Sequence, residues 1–219
     1  MDLLQALTNR KSVRAYQSKP VERDVIESIF SKALRSPSYT NSQPWDAVVV
    51  TGEKRQALSD RLYALAKDNA PAQSDYPNPK SWPAKVEART KTHGAKRFQA
   101  LNINRDDVQA RTEQRLMNFK FFNAPCVVFF FMDENLSTWS LTDIGMFVQS
   151  VVLSAHAHGL GTCLQASLAN YPNAVREVLD IPPSRKLLLG MSMGYPDWNA
   201  PINQYTSERD PLEEFLTIY

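Results

Sequence analysis

Hydrophobic residues return every three or four positions in several stretches of the chain, and this spacing predicts helices. Two of them lie near the start, at residues 2–9 and around Val25–Ala33, with Pro20 close to the beginning of the second. The same spacing predicts a helix around Ala57–Leu65 and another that ends near Lys120. The first half of the chain is therefore predicted to be mainly helical.

Uninterrupted apolar runs predict buried strands at Ala47–Val50, Val127–Phe131 and Leu187–Met193. Residues Leu141–His158 are apolar on nearly every side, which is typical of a buried helix, and Gly159 is placed to end it. In a chain of this size, such a helix lies in the core or is shared with a second subunit. The order of elements predicts an α+β layered domain. The long connections and the terminal arm predict a dimer that exchanges segments.

The composition is that of a globular protein, with 43% hydrophobic and 22% charged residues, and we expect one domain over residues 1–219. The net charge of +2 favours neither nucleic acid nor a membrane surface as a partner. The longest apolar run, Cys126–Met132, is too short to span a bilayer, and no leader pattern follows Met1. Cys126 and Cys163 lie among apolar neighbours, which predicts buried free thiols and a cytoplasmic location.

Residues 68–107 differ from the rest of the chain because prolines interrupt them and basic residues are frequent. We expect an inserted segment that lies over the core and is helical over part of Ala84–Phe98. A solvated surface loop and a lid are both open interpretations. The aromatic residues Tyr76 and Trp82 would be unusual on a purely solvated loop.

Several common active-site motifs are absent. The chain has no Gly-rich motif of the Rossmann or P-loop type and no G-x-S-x-G elbow. His93, His156 and His158 offer no zinc spacing, since the last two lie two residues apart on a helix and point to different faces, so no metal is expected. Cys163 with His156 or His158 would suggest a nucleophile pair, but a buried structural thiol is the favoured interpretation.

Two segments carry the residue types of a ligand site. Four polar residues follow the first helix: Arg10, Lys11, Ser12 and Arg14. Arginine and serine suit phosphate oxygens, although cations at a helix C-terminus also complement the helix dipole. Residues 36–45 form a stiff loop with two prolines, a tryptophan and two amides, which is typical of binding loops. Together they suggest a flat ring that bears a phosphate, such as flavin mononucleotide (FMN), and Arg209 could converge on the same phosphate.

Five short motifs occur in order along the chain. They are Arg10–Arg14, Pro37-Ser38-x-x-Asn41-x-Gln43-Pro44-Trp45, Asp143-x-Gly145 followed by Gly159-Leu160-Gly161-Thr162-Cys163-x-Gln165, Gly194-Tyr195-Pro196, and the tail around Arg209. Together they resemble the FMN-dependent nitroreductase family from end to end, apart from residues 68–107. This insertion and the Thr206–Phe215 tail are similar to the nitrobenzoate-reductase-like branch. The resemblance implies an α+β fold with a mixed sheet covered by helices, in a segment-exchanged homodimer with FMN at the interface.

The resemblance also implies which residues hold FMN. Those at the phosphate and ribityl chain would be Arg10, Lys11, Ser12 and Arg209. Arg14 would approach the N1–C2=O edge of the ring and Asn118 the pyrimidine edge. The residues expected from the partner subunit are Pro37, Ser38, Asn41 and Gln43. The backbone expected near N5 of the ring is that of Leu164, Gln165, Ala166 and Ser167.

The implied reaction reduces a nitroaromatic compound to its hydroxylamine with NADH or NADPH. One site used in turn by the nicotinamide and by a small aromatic oxidant implies ping-pong kinetics. No side chain is needed as an acid or base, so no catalytic residue is assigned. A fixed cation such as Arg14 would stabilise the charge near N1 of the reduced flavin. Reductive dehalogenation, quinone or enone reduction, and a non-catalytic FMN-binding protein remain alternatives.

The basic insertion suggests a hypothesis about the oxidant. A cation beside the ring would suit an aromatic carboxylate such as a nitrobenzoate. The candidate cations are Lys80, Lys85, Arg89, Lys96 and Arg97. Two other residues have structural interpretations: Trp45 as a core side chain and Asp143 as a cap or ion-pair partner at the start of its helix.

Overall fold

The computed structural model describes residues 2–219 and is built around a four-stranded sheet. The strands are β1 (Asp46–Thr51), β2 (Cys126–Asp133), β3 (Gly161–Gln165) and β4 (Arg185–Gly194), in the order β1-β2-β4-β3. The longer helices are α1 (Leu3–Asn9), α2 (Arg23–Ala33), α3 (Gly52–Lys67), α4 (Ala84–Ala100), α5 (Val108–Leu116), α6 (Ser140–Ala157) and α7 (Pro172–Leu179), and a short α8 spans Pro201–Gln204. The helices and strands expected from the hydrophobic pattern are therefore present.

The sheet corrects one detail of the expected fold, since neighbouring strands in the described chain all pair antiparallel. The mixed sheet that the resemblance implies is confined, in the described residues, to one isolated parallel bridge between Ser12 and Thr162. The segment that contains Ser12 does not continue as a strand beside β3. The N–H of Arg14 donates to the side-chain Oδ1 of Asn203, at 2.8 Å, instead of to a sheet carbonyl.

Strand β2 is the centre of the core and is buried on both faces, as its continuous apolar run predicts. Successive side chains point to opposite faces of a strand. Val128 and Phe130 therefore pack with α2 and α6, whereas Phe129 and Phe131 pack with α3, α5 and α7. Each fully buried phenylalanine contributes about 1.5–3 kcal/mol relative to an exposed one. Two layers of helices are thus held on one sheet.

The hydrophobic pattern does not predict β3 or α7. β3 has five residues and begins at a glycine, and α7 has eight residues with Pro172 in its first turn. Elements this short contain too few apolar repeats to stand out from their surroundings. Neither element could therefore be predicted from periodicity, although β3 holds residues 12–13 beside the site described below.

Helix α6 is buried on one face and uncovered on the other within the chain. Ile144 and Val151 are buried, whereas Gly145, Met146 and Gln149 are exposed. The helix ends as predicted: glycine 159 has a φ of 77°, and the next N–H donates to the carbonyl of residue 155 at 2.9 Å. Among residues 2–219, no helix has the length and apolar character needed to cross a membrane.

Candidate functional site

A cavity of about 730 Å³ lies between residues 11–14, helix α4 and the segment that follows α8. Its volume is in the range of small-molecule binding sites. Four of the sequence-predicted ligand residues line it: Lys11, Ser12, Arg14 and Arg209. Arg89 and His93 of α4 and Tyr205 complete much of the wall. The fold thus brings together side chains that lie almost 200 positions apart in the sequence.

The basic segment, residues 10–14, is fixed against the edge of the sheet. The Val13 N–H donates to the Thr162 carbonyl at 2.9 Å, next to the bridge formed by Ser12. This approach requires glycine at position 161, because a Cβ there would lie 2.5 Å from Cγ2 of Val13. Ser12 and Arg14 are consequently held at the cavity wall by backbone contacts.

Asn203 is a positioning residue that the sequence pattern does not reveal. Its side chain is buried, accepts from the Arg14 N–H, and donates to the carbonyls of Ala15 and Asp197 at 2.8 and 2.7 Å. A buried amide with every polar atom bonded fixes the backbone around it. Asn203 lies in the short helix α8, among residues without a periodic pattern, so the sequence gives no clear signal of this role.

The cavity has an excess of positive charge. Two arginines of its wall, Arg14 and Arg209, form no ion pair within residues 2–219. Arg10 and Arg97, outside the wall, form none either within the same residues. Burial lowers the pKa of Arg10, and the charge of Arg209 lowers it further. Burial also lowers the pKa of Arg97, as does the charge of Arg14. A half-buried group of mutually repelling cations attracts an anion.

The pKa of His93 is affected by charges of the same arginines. Burial lowers its pKa, and Arg14, Arg97 and then Arg209 lower it further. Its Nδ1 lies 2.9 Å from the hydroxyl of Tyr205, and both side chains line the cavity. A histidine held neutral beside cations adds hydrogen-bonding capacity without adding further positive charge.

Most of the basic residues on α4 already form ion pairs with carboxylates of the same chain. The ion pairs are Lys85–Glu214, Arg89–Asp210 at 2.5 Å and Lys96–Glu208 at 2.5 Å. Sequence reasoning missed these partners, although the acidic residues of the tail were a visible signal. Of the five candidate cations for an anionic substrate, Arg97 is half-buried and the charge of Arg14 lowers its pKa, whereas Lys80 is exposed and precedes α4.

Residues 36–45 contribute nothing to the wall of this cavity within one chain. Pro37, Asn41 and Gln43 are exposed, and Ser38 is half-buried. Asn41 and Gln43 have φ values of 58° and 49°, a region that residues other than glycine rarely adopt. The Gln43 N–H donates to Oγ of Ser38 at 3.0 Å, which helps to hold this conformation. The loop therefore presents its polar groups outward in a strained but defined shape.

Two interactions fasten the loop to α6. Asp143 is buried and accepts from the Tyr39 N–H at 3.2 Å, so this carboxylate holds the loop as well as lying in the first turn of its helix. Trp45 stacks on Phe147 with ring centroids 4.8 Å apart, which confirms its interpretation as a core side chain.

Gln165 and Asn118 meet below the end of β3. The Nε2 of Gln165 donates to the Asn118 carbonyl at 2.9 Å, and Oε1 of Gln165 accepts from the Ser192 hydroxyl. The Gln165 side chain is therefore used internally, which leaves its backbone for a ligand. The neighbouring predicted residues remain accessible: Leu164 and Ala166 are exposed and Ser167 is half-buried.

Arg10 lies beside a smaller, adjoining cavity of about 190 Å³, and Lys11 lines both cavities. His156 lies on the wall of this smaller cavity, where its Nε2 is buried without a hydrogen-bond partner. Burial and then the charge of Arg10 lower the pKa of His156. The ammonium of Lys11 lies 5.2 Å from the ring centroid of Trp198.

The two thiols are buried, as the sequence predicts. Burial raises the pKa of Cys163 and raises that of Cys126 to about 12, so both remain protonated at neutral pH. His158 is bonded elsewhere, to the Ser28 hydroxyl at 3.1 Å and to the Ser154 carbonyl at 2.8 Å. The interpretation of Cys163 as a structural thiol is therefore confirmed. Within the described residues, no three histidine, cysteine or acidic side chains are grouped in a way that would hold a metal.

Comparison with known proteins identifies the family. Residues 7–195 match the nitroreductase family. The chain belongs to the nitroreductase family. It is 34% identical over 209 residues to a 4-nitrobenzoate reductase of Pseudomonas putida, an alignment that covers 95% of this chain and 92% of the relative.

Solved nitroreductase structures have the same fold along the whole chain. An FMN- and NADPH-dependent nitroreductase, NfnB, from Sphigopyxis sp. strain HMH has a TM-score of 0.97 at 33% identity and covers 100% of this chain and 99% of its own. The FMN-dependent nitroreductase NfnB from Mycobacterium smegmatis, in complex with NADPH, has a TM-score of 0.93 at 30% identity and covers 100% of both chains. The expected nitroreductase-like fold is thereby confirmed.

Proposed function

We propose that the protein is an FMN-dependent oxidoreductase that uses NADH or NADPH to reduce nitroaromatic compounds to hydroxylamines. One observation carries the proposal: a cavity, in a chain of the nitroreductase family, is lined by two arginines, Arg14 and Arg209, that form no ion pair within residues 2–219. The names of the relatives, which include a 4-nitrobenzoate reductase and FMN-dependent nitroreductases, support the same activity.

The residues present fit FMN. A phosphate would satisfy the uncompensated charges of Arg10 and Arg209, and Lys11 and the Ser12 hydroxyl add donors. Arg14 would hold the N1–C2=O edge of the ring, with Asn118 at the pyrimidine edge. The backbone of residues 164–167 would line the ring near N5.

The chain's own residues would bind FMN, orient its ring and stabilise the charge that develops on it. Bound FMN supplies hydride transfer from the nicotinamide to the oxidant. Arg14 is anchored through its backbone by Asn203, so its positive charge needs little reorganisation to stabilise negative charge at the ring edge. In the proposed complex, the apolar side of α6 would lower the local dielectric constant near the ring, which would strengthen that interaction. No side chain is assigned as an acid or base.

We propose a homodimer in which the partner's residues 37–43 complete the FMN site. The support is the outward-facing, strained loop, which leaves Asn41 and Gln43 exposed. The uncovered face of α6 and the exposed Leu3, Leu4 and Trp139 are further support, because exposed apolar surface of this kind marks interfaces. A second subunit would cover these side chains and bring the loop to the flavin.

The remaining features are consistent with one domain over residues 1–219 and a lid formed by residues 68–107. Helix α4 of this segment forms a wall of the cavity, which supports the interpretation of the segment as a lid and not as a solvated surface loop. The buried free thiols fit a reducing compartment, and we place the protein in the cytoplasm.

We propose nitrobenzoates as preferred oxidants, with Arg97 as the residue that recognises the carboxylate. Arg97 has no ion-pair partner within residues 2–219, and the charge of Arg14, at the cavity wall, lowers its pKa, whereas Lys85, Arg89 and Lys96 are paired with the tail. Similarity to a 4-nitrobenzoate reductase supports the same substrate class.

Steady-state kinetics with NADH or NADPH and either 4-nitrobenzoate or nitrobenzene test the proposal. We expect a hydroxylamine product by mass spectrometry and parallel double-reciprocal plots, because both substrates use one site in turn. Turnover of quinones, enones or halogenated phenols with no turnover of nitro compounds would favour the alternative reductases on this fold. Equal kcat/KM for the acid and for nitrobenzene would remove the nitrobenzoate preference.

A further inference from the structure

One face of α4 is bound along its length by the tail strap, which we define as residues 205–215. Three ion pairs join them, Lys96–Glu208, Arg89–Asp210 and Lys85–Glu214. The hydrogen bond between His93 and Tyr205 adds to this contact, as does the guanidinium of Arg89, which lies 5.0 Å from the ring centroid of Phe215. The α4 positions are spaced by about one or two turns, so they share a face, and the strap runs antiparallel to the helix.

Arg209 lies between two of these anchors. Glu208 and Asp210 pair with α4, and Arg209 at the centre lines the cavity. The Arg209 guanidinium is also tied to its own strap, since Nη1 donates to Oγ of Ser207 and to the Glu208 carbonyl, both at 2.8 Å. The position of this guanidinium therefore depends on the position of the strap.

The ion pairs of Glu208 and Asp210 with α4 oppose a repulsion between two arginines. Arg209 is close enough to Arg10 for the two charges to repel each other. Without an anion between them, this repulsion favours movement of the strap away from the basic segment. The ion pairs of Glu208 and Asp210 counter that movement, and the pair of Asp210 with Arg89 is the more enclosed of the two, with side chains 35% and 34% exposed.

We propose that Glu208 and Asp210 are positioning residues that fasten the strap to α4 and hold Arg209 at the phosphate of FMN, so that cofactor binding and the ordering of α4 are coupled. The inference rests on the proposed function, because it takes FMN as the ligand of this cavity. Coupling is reciprocal: if the anchored strap raises the affinity for FMN, bound FMN stabilises the strap and α4 to the same extent.

The first test replaces both acids without changing their shape. Glu208→Gln with Asp210→Asn removes the two ion pairs, and Glu213→Gln is the matched control, an exposed acid of the same strap that forms no ion pair within residues 2–219. Quenching of FMN fluorescence gives the Kd. We expect binding to be about tenfold weaker in the double variant and unchanged in the control, since partly exposed pairs contribute modestly and here act together.

Hydrogen exchange provides a readout that does not depend on activity. In the parent protein, FMN should slow amide exchange over residues 84–100, and in the double variant this protection should be largely lost. A charge swap provides rescue: Lys96→Glu and Glu208→Lys should each weaken FMN binding, and the two together should restore the Kd to within about threefold of the parent.

Equal or tighter FMN binding by the double variant would overturn the inference, because the acids would then act only as negative charges that repel the phosphate. Failure of the swapped pair to restore affinity would contradict it as well. If the parent protein does not bind FMN at all, both the proposed function and this inference fail. Normal binding by the parent with no effect of the anchors contradicts the inference alone.

Discussion

The arginines in and near the cavity differ in the contacts that hold them. Arg14 is anchored by its backbone, through the buried side chain of Asn203, whereas Arg209 depends on a segment without regular secondary structure. Arg97 is half-buried on α4 and has no partner within residues 2–219. These differences in anchoring and burial give each cation a separate role that substitution can test.

Replacing Arg14 should weaken cofactor binding. Arg14→Ala removes a charge that faces the ring edge in the proposed complex, and hydrogen bonds to charged groups contribute about 1.5–3 kcal/mol. We expect the Kd for FMN to rise about 10- to 100-fold and reduction by NADPH to slow, measured by fluorescence titration and stopped-flow absorbance. Arg105→Ala, an exposed arginine outside the cavity, is the control. Unchanged affinity and rate would show that Arg14 is only a surface cation.

Replacing Arg97 should change the choice of oxidant without removing activity. Arg97→Gln should lower kcat/KM for 4-nitrobenzoate about tenfold or more and leave that for nitrobenzene within about twofold, because only the acid offers a partner for the charge. Arg105→Gln controls for loss of a positive charge elsewhere. An equal loss for both oxidants would assign Arg97 to folding or to flavin binding instead.

At the level of secondary-structure elements, the sequence predicts those with long hydrophobic repeats and misses the short ones. α2, α6 and β2 follow from their periodicity, but β3 and the tail strap have no such pattern. The cavity depends on β3 and the tail strap. Gly161 of β3 leaves room for the close approach of the basic segment, and the tail strap supplies Arg209. The basic segment itself was predicted from residue chemistry, whereas its contact with β3 requires the three-dimensional structure.

The close approach between β3 and the basic segment should be sensitive to a single methyl group. In Gly161→Ala, the added Cβ would lie 2.5 Å from Cγ2 of Val13 and 2.9 Å from Cγ of Pro196. We expect the free energy of unfolding to fall by about 1–3 kcal/mol and FMN binding to weaken, since the segment must move.

Gly94→Ala is the matched control for this substitution. It lies inside α4, and a Cβ there has no atom within 4 Å, so stability should be unchanged or slightly higher. Urea denaturation and fluorescence titration measure both effects. Parent-like stability and affinity in Gly161→Ala would show that the edge of the sheet tolerates the added group.

For the whole molecule, the fold was predictable because composition, two-faced burial of β2 and motif order agree. The cationic character of the site was predictable from residues 10–14 and Arg209. The pairing of α4 with the tail was not predictable, because it joins residues more than 100 positions apart.

Acid should destabilise the folded protein. Burial and neighbouring arginines hold the pKa of His93 and of His156 below the ordinary value of about 6.5. As the pH falls through that value, the unfolded chain binds more protons at these sites than the folded chain, so the free energy of unfolding decreases. We expect urea denaturation to give a lower free energy at about pH 5.5 than at about pH 7.5. The double variant His93→Gln/His156→Gln should lose part of this decrease, and an identical dependence in both proteins would contradict the account.

The visible absorption spectrum of the purified protein, recorded without oxygen before and after addition of NADPH or NADH, tests the central claim most directly. We expect a yellow protein whose flavin band bleaches promptly and returns when 4-nitrobenzoate is added. A flavin that binds but is not bleached would contradict the proposed enzyme. A colourless protein that takes up no FMN on incubation would contradict the assignment of the cationic cavity itself.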